Sequence, residues 1–449
     1  SIHDPCKVRA VVFDDGKKRV ALVGLDAGFI WREPVQAVRK EIHAKCGIPP
    51  EAVLIGASHS HSSGPLGIVQ PGEYDHASPF VRSLAYEKSA CADAGYLQRV
   101  QQAIVATVCR ADRCRAEARL GVGTGVEDKV AFNRRLRMKS GVTYTHPGQG
   151  NPGSVDYAGP TDPKVGVLGA WDTKGKFLGC VVNFACHATT SPGGISANYI
   201  YYLEQTIRGC MGSGAIVVFL QGASGDVTQV DNLSRHVRRR GEQDARFVGG
   251  RIGAEAVKVL LTMAPGTLVP LDARSKVLPL KRRVPKPERV QRCYELVKQD
   301  LKKVGHTQWV FAKEIVLLDA LLAKEPVVDV EVQAIQVGPA IFLANPAELF
   351  CQLGLEIRAK SPFPFTFPVG YANGFVAYVP TEEAFGPHGG GYETRLTSVT
   401  NLEPTAGRRI VEASLDLAGE MTPGEVPTLP KAPPFRPRPG SRPVPPELD

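Results

Sequence analysis

Hydrophobic and polar positions alternate along the chain in patterns that predict a mixture of strands and helices. Short, almost wholly apolar runs indicate strands at residues 7–13, 19–25 and 52–57. Apolar residues recur near helical spacing from 33 to 45, and Gly47 stands where a helix C-cap is expected. Further strands are expected at 166–185 (a hairpin), 215–220 and 330–344, and further helices at 96–110, 198–209, 243–262, 288–303, 310–323, 348–359 and 405–418.

These elements predict an α/β fold, a layered domain with mixed sheets and antiparallel hairpin additions. The domain is expected to span residues 1–422. From about Pro423 to residue 449 proline is dense and large apolar residues are scarce. This segment cannot form a core of its own, so we expect an extended tail that is either draped on the domain or disordered.

Composition and charge narrow the function classes. With 43% hydrophobic and 22% charged residues the chain has an ordinary soluble composition, and no apolar run approaches the length of about 18 residues that a transmembrane helix needs. The net charge of +9 includes basic runs at 238–240 and 281–283, which favour either a solvated surface or attraction to an anionic membrane surface or an acidic substrate. No motif for nucleic acid accompanies the charge, so no nucleic-acid partner is expected. Ten scattered cysteines form no CxxC pair, and disulfides stay open.

Three buried strands end in polar residues that can carry chemistry. The first ends at His59 and His61, which share one face of an extended chain and suit a divalent metal, although a buried histidine is often a satisfied core residue. The second ends at His187, which is either a further ligand or a histidine bonded to backbone. The third leads into the glycine-rich segment 221–228, which either offers N–H groups to an oxyanion or is a simple turn.

In this order, the three segments resemble the neutral ceramidase family. That family carries a THTHSGP-like, an NFxxHP/T-like and a GDVSP-like segment, and here they read SHSHSSGP, NFACHATT and GDVTQV. Residues 345–349 (NPAEL), 378–383 (YVPTEE) and 391–393 (GYE) are also similar to the family. The similarity spans roughly residues 3–420 and implies the layered catalytic domain of that family.

The resemblance also implies a single Zn²⁺ held by two histidines, one glutamate and one tyrosine. Matched motif by motif, these ligands are His59, His187, Glu348 and Tyr378, with Glu348 expected at the start of a helix. The set is chemically sensible, because zinc accepts imidazole and carboxylate and lowers the pKa of a nearby phenol.

Further catalytic residues follow from the same resemblance. His61 is implied either to support the metal ligands or to carry a proton, and Asp226 is an alternative proton carrier. Arg134 and Tyr392 are implied to bind the substrate or the developing oxyanion. Thr228 stands where the family has serine and would be a slower, more hindered nucleophile if one is needed there.

The function predicted from these features is a zinc-dependent amidohydrolase in which a zinc-activated water cleaves a ceramide-like lipid or another N-acyl substrate. One alternative is a zinc hydrolase of small esters, lactones or amides, or a carbohydrate-modifying enzyme on the same fold. Another is a non-catalytic zinc-binding module. The resemblance implies a secreted or periplasmic location, and it gives no counterpart here for an N-terminal part or for the C-terminal immunoglobulin-like domain of the family. The oligomeric state stays open.

Overall fold

The computed structural model describes residues 1–434, 436 and 446–448 of the chain. Within them, ten helices, α1 to α10 in chain order, are Arg32–Cys46, Pro79–Tyr86, Ala94–Arg113, Tyr199–Met211, Glu242–Thr262, Pro287–Val297, Leu301–Val304, His306–Lys324, Cys351–Lys360 and Ala406–Gly419. The strands of the same residues, β1 to β18, are Val8–Asp14, Arg19–Leu25, Val53–Ala57, Ala118–Val126, Phe132–Asn133, Arg135–Met138, Thr143–Thr145, Ser154–Tyr157, Lys164–Asp172, Phe177–Phe184, Ile216–Gln221, Val227–Thr228, Leu271–Lys281, Val327–Val337, Ala340–Ala344, Glu348–Leu349, Phe365–Val369 and Tyr378–Val379.

Two four-stranded sheets form the centre of the molecule. One has the strand order β11-β10-β9-β4 and the other β13-β14-β15-β17. Val181 and Val218 of the first sheet and Phe342 and Phe367 of the second belong to one buried core between them. Helices α4 and α5 cover the outer face of the first sheet, and α9 and α10 cover that of the second. The predicted α/β fold with layered, mixed sheets is confirmed.

Parallel strand pairs bring distant chain segments to a common edge. Strands β2 and β3 pair in parallel across α1, and β10 and β11 pair in parallel across α4. A parallel pair needs a crossover of about a dozen residues, which each helix provides. The sheet β1-β2-β3 packs closely on β11. At Gly24 there is no room for a side chain, since a Cβ would lie only 2.7 Å from the carbonyl oxygen of Phe219. The ends of β3, β10 and β11 therefore meet.

A helical segment inserted between β13 and β14 stands beside this edge. It contains α6, α7 and α8, and α6 and α8 pack with α2 around a separate small core that includes Val316 and Leu84. The expected helix at 288–303 is divided in two, because Asp300 caps the start of α7 by accepting a hydrogen bond from the backbone N–H of Lys302. No helix in the described part of the chain has the length and apolar character to cross a membrane.

Most differences from the sequence-based elements come from tertiary pairing. The expectation that Glu348 begins a helix is wrong: Glu348 and Leu349 form β16, which pairs in parallel with β18, and α9 starts only at Cys351. Strand β4 was not expected, because the alternating glycines of 121–125 weaken a strand pattern. In the tail, residue 424 donates a backbone hydrogen bond to the carbonyl oxygen of Gly338, and the tail residues 435, 437–445 and 449 lie outside the described residues.

Candidate metal centre

The three polar segments expected at strand ends meet at one place. Gln221, the last residue of β11, donates from Nε2 to the carbonyl oxygens of Ser58, at 3.1 Å, and Cys186, at 2.7 Å. The buried side-chain amide of Gln221 thus links the end of β11 to the segments that follow β3 and β10. His59 and His187 come directly after those two carbonyl groups, and their ring centroids lie 4.6 Å apart.

Glu348 reaches the two histidines from β16. Its Oε2 lies 3.2 Å from Nε2 of His59 and 3.2 Å from Nε2 of His187. All three side chains are almost completely buried. His59 has a backbone φ of 60°, a left-handed conformation that is costly for a residue with a side chain and is concentrated at functional sites in proteins.

Hydrogen bonds to the outer ring nitrogens orient both imidazoles. Nδ1 of His59 lies 2.7 Å from the carbonyl oxygen of Gly28, and Nδ1 of His187 lies 2.6 Å from that of Ser224. Because a carbonyl oxygen only accepts, each Nδ1 carries a hydrogen, and Nε2, which faces Glu348, is the nitrogen of each ring that is placed to bind a metal.

This set of acceptors fits a divalent cation. Within the described residues, His187 Nε2 and Glu348 Oε2 are buried and have no hydrogen-bond partner. Burial, together with Arg134 and His59, holds the pKa of His187 well below its usual range. The ring therefore resists protonation at Nε2, and a proton there would be needed for a hydrogen bond between His187 and Glu348. A cation satisfies all the lone pairs at once, and zinc binds imidazole nitrogen together with carboxylate oxygen.

His61 offers one more nitrogen. Its Nε2 lies 3.1 Å from that of His59, and the nitrogens of His59, His61 and His187 all lie within 4.8 Å of one another. Solvent reaches the His61 ring, but desolvation in the pocket and the neighbouring His59 still lower its pKa to about 4. Two ligand sets therefore overlap. They share His59 and His187 and differ in the third ligand, His61 or Glu348.

Two buried tyrosines enclose the histidines. The ring of Tyr378, the expected fourth ligand, lies parallel to that of His187 with centroids 6.4 Å apart. Tyr371, which sequence reasoning missed, stacks on His59 at 4.1 Å, and its hydroxyl lies 3.2 Å from Oγ of Ser224. Tyr371 comes just after β17, so the strand-end position that pointed to the histidines could have revealed it. Burial raises the pKa of both phenols.

A buried ion pair stands behind the tyrosines. Arg134 donates from Nε to Oε1 of Glu393 at 2.7 Å, and Thr145 donates to Oε2 of the same carboxylate at 2.6 Å. The guanidinium of Arg134 also lies over the ring of Tyr378, 5.3 Å from its centroid. Thr145 in turn accepts from the backbone N–H of Tyr392 at 2.8 Å. Glu393, whose role the sequence did not indicate, thus positions Arg134 and the Tyr392 loop together.

A cavity of about 610 Å³ opens onto the histidines. His59, His61, Glu348, Tyr378 and Tyr392 line its polar end. The rest of the wall is largely apolar and comes partly from α8; it includes Phe29, Leu66, Ile68, Val310, Phe311, Phe375 and Val399. A mostly apolar pocket with a few convergent polar groups is the usual form of a small-molecule site.

Solved structures similar to this chain match it over 95% of its length. A ceramidase complexed with C2 has a TM-score of 0.68 and 18% sequence identity, and the match covers 71% of that chain. The neutral ceramidase from Pseudomonas aeruginosa has a TM-score of 0.65 and 20% identity, with 70% of that chain covered. The chain has the neutral ceramidase fold. The sequence itself matches no family model and no curated protein.

The resemblance carried by the sequence motifs is thus confirmed at the level of the fold. At 18–20% identity the likeness establishes the neutral ceramidase fold, and the chemistry must be argued from the side chains of the pocket.

Two residues proposed from the sequence lie outside the cavity of this neutral ceramidase fold. Asp226 is buried, with Oδ1 accepting from the backbone N–H of Cys351 and Oδ2 from Nδ2 of Asn133, each at 2.8 Å. Thr228 is buried in β12 and donates to Oε1 of Gln229 at 2.8 Å. Their hydrogen bonds hold the loop after β11 to neighbouring segments.

The glycines of segment 221–228 also have a structural role. The backbone N–H of Gly222 donates to Phe184 O and that of Gly225 donates to Leu349 O, each at 2.8 Å, so neither is free for an oxyanion. A Cβ on Gly225 would lie 2.2 Å from the carbonyl oxygen of Glu348. Glycine is needed here because the loop passes directly against the backbone of Glu348.

Replacing Gly225 with alanine is therefore expected to displace Glu348, to lower the free energy of unfolding by about 1–3 kcal/mol and to weaken zinc binding. Urea denaturation and the zinc content after dialysis measure the two effects. Gly209→Ala, on α4 with no atom within 4 Å of the new Cβ, is the matched control and should leave stability the same or slightly higher. Equal stability and zinc content in both variants would show that this contact does not position Glu348.

Proposed function

We propose that this chain is a zinc-dependent hydrolase that cleaves the amide bond of an N-acyl substrate. The observation that carries the proposal is the convergence of Glu348 Oε2 on the lone-pair nitrogens of His59 and His187, at 3.2 Å each, in a buried site beside an apolar cavity. These three residues would hold the ion, with Tyr378 as the fourth candidate ligand. When bound there, zinc supplies Lewis acidity, which polarises a carbonyl and lowers the pKa of water.

The side chains around this position have complementary roles. His61 presents Nε2 to the same space, 3.1 Å from Nε2 of His59, and is the group to which we assign taking a proton from water and returning it to the leaving amine. Tyr392 stays protonated, because burial raises the pKa of its phenol, and its hydroxyl donates to the oxyanion of the tetrahedral state. Arg134 holds Tyr378 from behind the pocket.

The cavity wall favours an acyl chain over a sugar. Phe29, Leu66, Ile68 and Phe311 present apolar surface, which a fatty acyl group buries and a carbohydrate does not. The structural neighbours are ceramidases, which supports an N-acyl lipid as the substrate class. Small esters and lactones are the runner-up, because an apolar cavity with the same polar end accepts them as well.

The test is a zinc and activity assay on the purified chain. We expect about one zinc per chain by elemental analysis, cleavage of N-acyl amides faster than of matched O-acyl esters relative to their uncatalysed rates, and loss of turnover on chelation that zinc restores. Bound zinc without turnover of any amide or ester would point to the non-catalytic module and defeat the proposal.

His61→Ala separates the two ligand sets in the same assay. If His61 carries protons, the variant keeps its zinc while kcat falls by about a hundredfold or more. Loss of zinc from this variant would make His61 a ligand instead. His236→Ala, an exposed histidine with no side-chain hydrogen bond among the described residues, is the control and should behave as the unsubstituted protein.

A further inference from the structure

A second cleft, of about 930 Å³, lies next to the reaction pocket and is strongly basic. It runs between the start of α6 and residues 394–396. The cations that line it are Arg283, Lys286, Arg289, Arg292 and Arg395, against a single acidic residue, Glu288. A concave surface lined by one sign of charge concentrates ligands of the opposite charge.

The charges of this basic cleft are not neutralised by the protein. Among the described residues, none of its five cations forms an ion pair; two of them are half-buried and three are exposed. Arg283 donates to the carbonyl oxygens of Thr394 and Thr400, at 3.1 and 3.0 Å, and its Nε is buried without a partner. Arg283 is thus held against residues 394–400 by the protein itself, and an anion in the cleft would meet the other four cations.

The arginines also act on one another. Burial and the charge of Arg289 lower the pKa of Arg283 to about 10, and the same two causes lower the pKa of Arg395. Helix α6, with eleven residues, begins at Pro287 and directs the positive end of its dipole toward the same space. An anion bound between the guanidinium groups would relieve their repulsion and meet the helix end.

The basic cleft and the reaction pocket share a wall. The guanidinium carbon of Arg395 lies 3.2 Å from the ring centroid of Phe311, and Phe311 lines the reaction pocket. The ring of Tyr392, which also lines the pocket, is 6.2 Å from that of Phe311. Residues 394–396 line the cleft, and Thr397 lines the pocket on the other side. The two cavities are therefore adjacent, with Phe311 and Tyr392 on the pocket side and Arg395 on the cleft side.

We propose that the basic cleft binds a phosphate-type oxyanion at one end of the substrate, while the scissile amide of the same molecule lies in the reaction pocket. The substrate class is then an anionic N-acyl compound, and this assignment rests on the proposed hydrolase function. A tetrahedral oxyanion suits the site because its several oxygens accept from more than one guanidinium group, each presenting paired N–H donors.

Binding of inorganic phosphate to the full chain tests the cleft without any turnover. Isothermal titration at low ionic strength is expected to show a dissociation constant that rises about tenfold in Arg289→Gln and in Arg395→Gln, because each loses a charged hydrogen-bond partner. Arg119→Gln, an exposed arginine on β4 outside both cavities, is the control and should bind as the unsubstituted protein does. Circular dichroism verifies that each variant is folded.

A matched substrate pair tests the link to catalysis. We expect kcat/KM to be higher for an N-acyl phosphoethanolamine than for the N-acyl ethanolamine of the same chain length, and the ratio of the two values to fall about tenfold in Arg289→Gln and Arg395→Gln. The ratio isolates the anionic end, since both substrates present the same amide to the pocket.

The outcomes separate this inference from the proposed function. The assignment of the basic cleft as an anion site would be overturned if phosphate bound equally to Arg289→Gln, Arg395→Gln and Arg119→Gln, even if amides are cleaved. Arginine-dependent phosphate binding with no preference for the anionic substrate would show a site for a free anion and overturn the substrate assignment. Arginine-dependent binding with no cleavage of any substrate would leave the anion site standing and defeat the hydrolase.

Discussion

Replacing Glu348 with glutamine is expected to remove zinc from the protein and to lower kcat/KM for an N-acyl amide by about a thousandfold or more, since several kcal/mol of transition-state stabilisation depend on the ion. Glutamine keeps the size of the side chain but removes the negative charge next to His59 and His187. Two neutral imidazoles then face a neutral amide, and the charge of a buried dication is no longer offset. Elemental analysis after dialysis and steady-state kinetics measure the two losses.

The glutamine variant should remain folded, which makes its loss of activity interpretable. Glutamine has the size of glutamate, and the thermal midpoint of Glu348→Gln, measured against that of the chelated parent, verifies that the fold is kept. Glu412→Gln, an exposed carboxylate on α10, is the control for a charge change elsewhere. Full zinc and full activity in Glu348→Gln would remove Glu348 from the ligand set.

Replacing Glu393 with alanine is expected to lower the free energy of unfolding by about 3–5 kcal/mol, the usual cost of removing one partner of a buried ion pair. Glu393 is completely buried and accepts from Arg134 and Thr145. Burial by itself would lower the pKa of Arg134, but the combined effect of Tyr378 and Glu393 is larger, so the pKa of that arginine is raised. Without the carboxylate Arg134 is left charged and unpaired. Urea denaturation measures the change.

A double variant distinguishes the pair from simple loss of packing. In Arg134→Met with Glu393→Leu one charge of each sign is replaced by an apolar group, so part of the lost stability should return. The recovery is incomplete because buried Arg135, whose Nε lies 3.6 Å from Oε2 of Glu393, also loses its partner, and turnover stays low because Tyr378 and Tyr392 are no longer held. Glu393→Gln, which keeps the volume and one acceptor oxygen, should lie between the parent and the alanine variant. A Glu393→Ala protein within about 0.5 kcal/mol of the parent would show that the pair is not important for stability.

Local pattern alone predicted a large part of this fold. The apolar runs that became β2, β3 and β11 are wholly or almost wholly buried, and buried strands carry few polar residues because each face contacts other protein. Helix α1 was visible for a similar reason, since one face of it packs on the core and the other faces solvent. Gly47 adopts the left-handed conformation expected of the residue after a helix.

The candidate site was partly visible for the same reason. His59 and His187 each follow a buried strand and could be paired through the ligands that zinc needs, although β3 and β10 belong to different sheets whose packing brings the two ends together. Glu348 could be matched by its motif, but its secondary structure could not be predicted, because a two-residue strand has no periodicity of its own. The hydrogen bonds of Asp226, to the backbone of Cys351 and to Asn133, join residues far apart in the chain and could not be predicted from the sequence.

The sequence by itself determined the strand ends that carry the histidines, the order of the motifs and the layered α/β class, because these depend on contacts within a few residues or on burial of a whole segment. Only the tertiary structure decided that Glu348 faces both imidazoles, that Glu393 pairs with Arg134, and that an uncompensated basic cleft adjoins the pocket. Each of those depends on the distance between residues far apart in the chain, and that distance is set by the packing of all the layers between them.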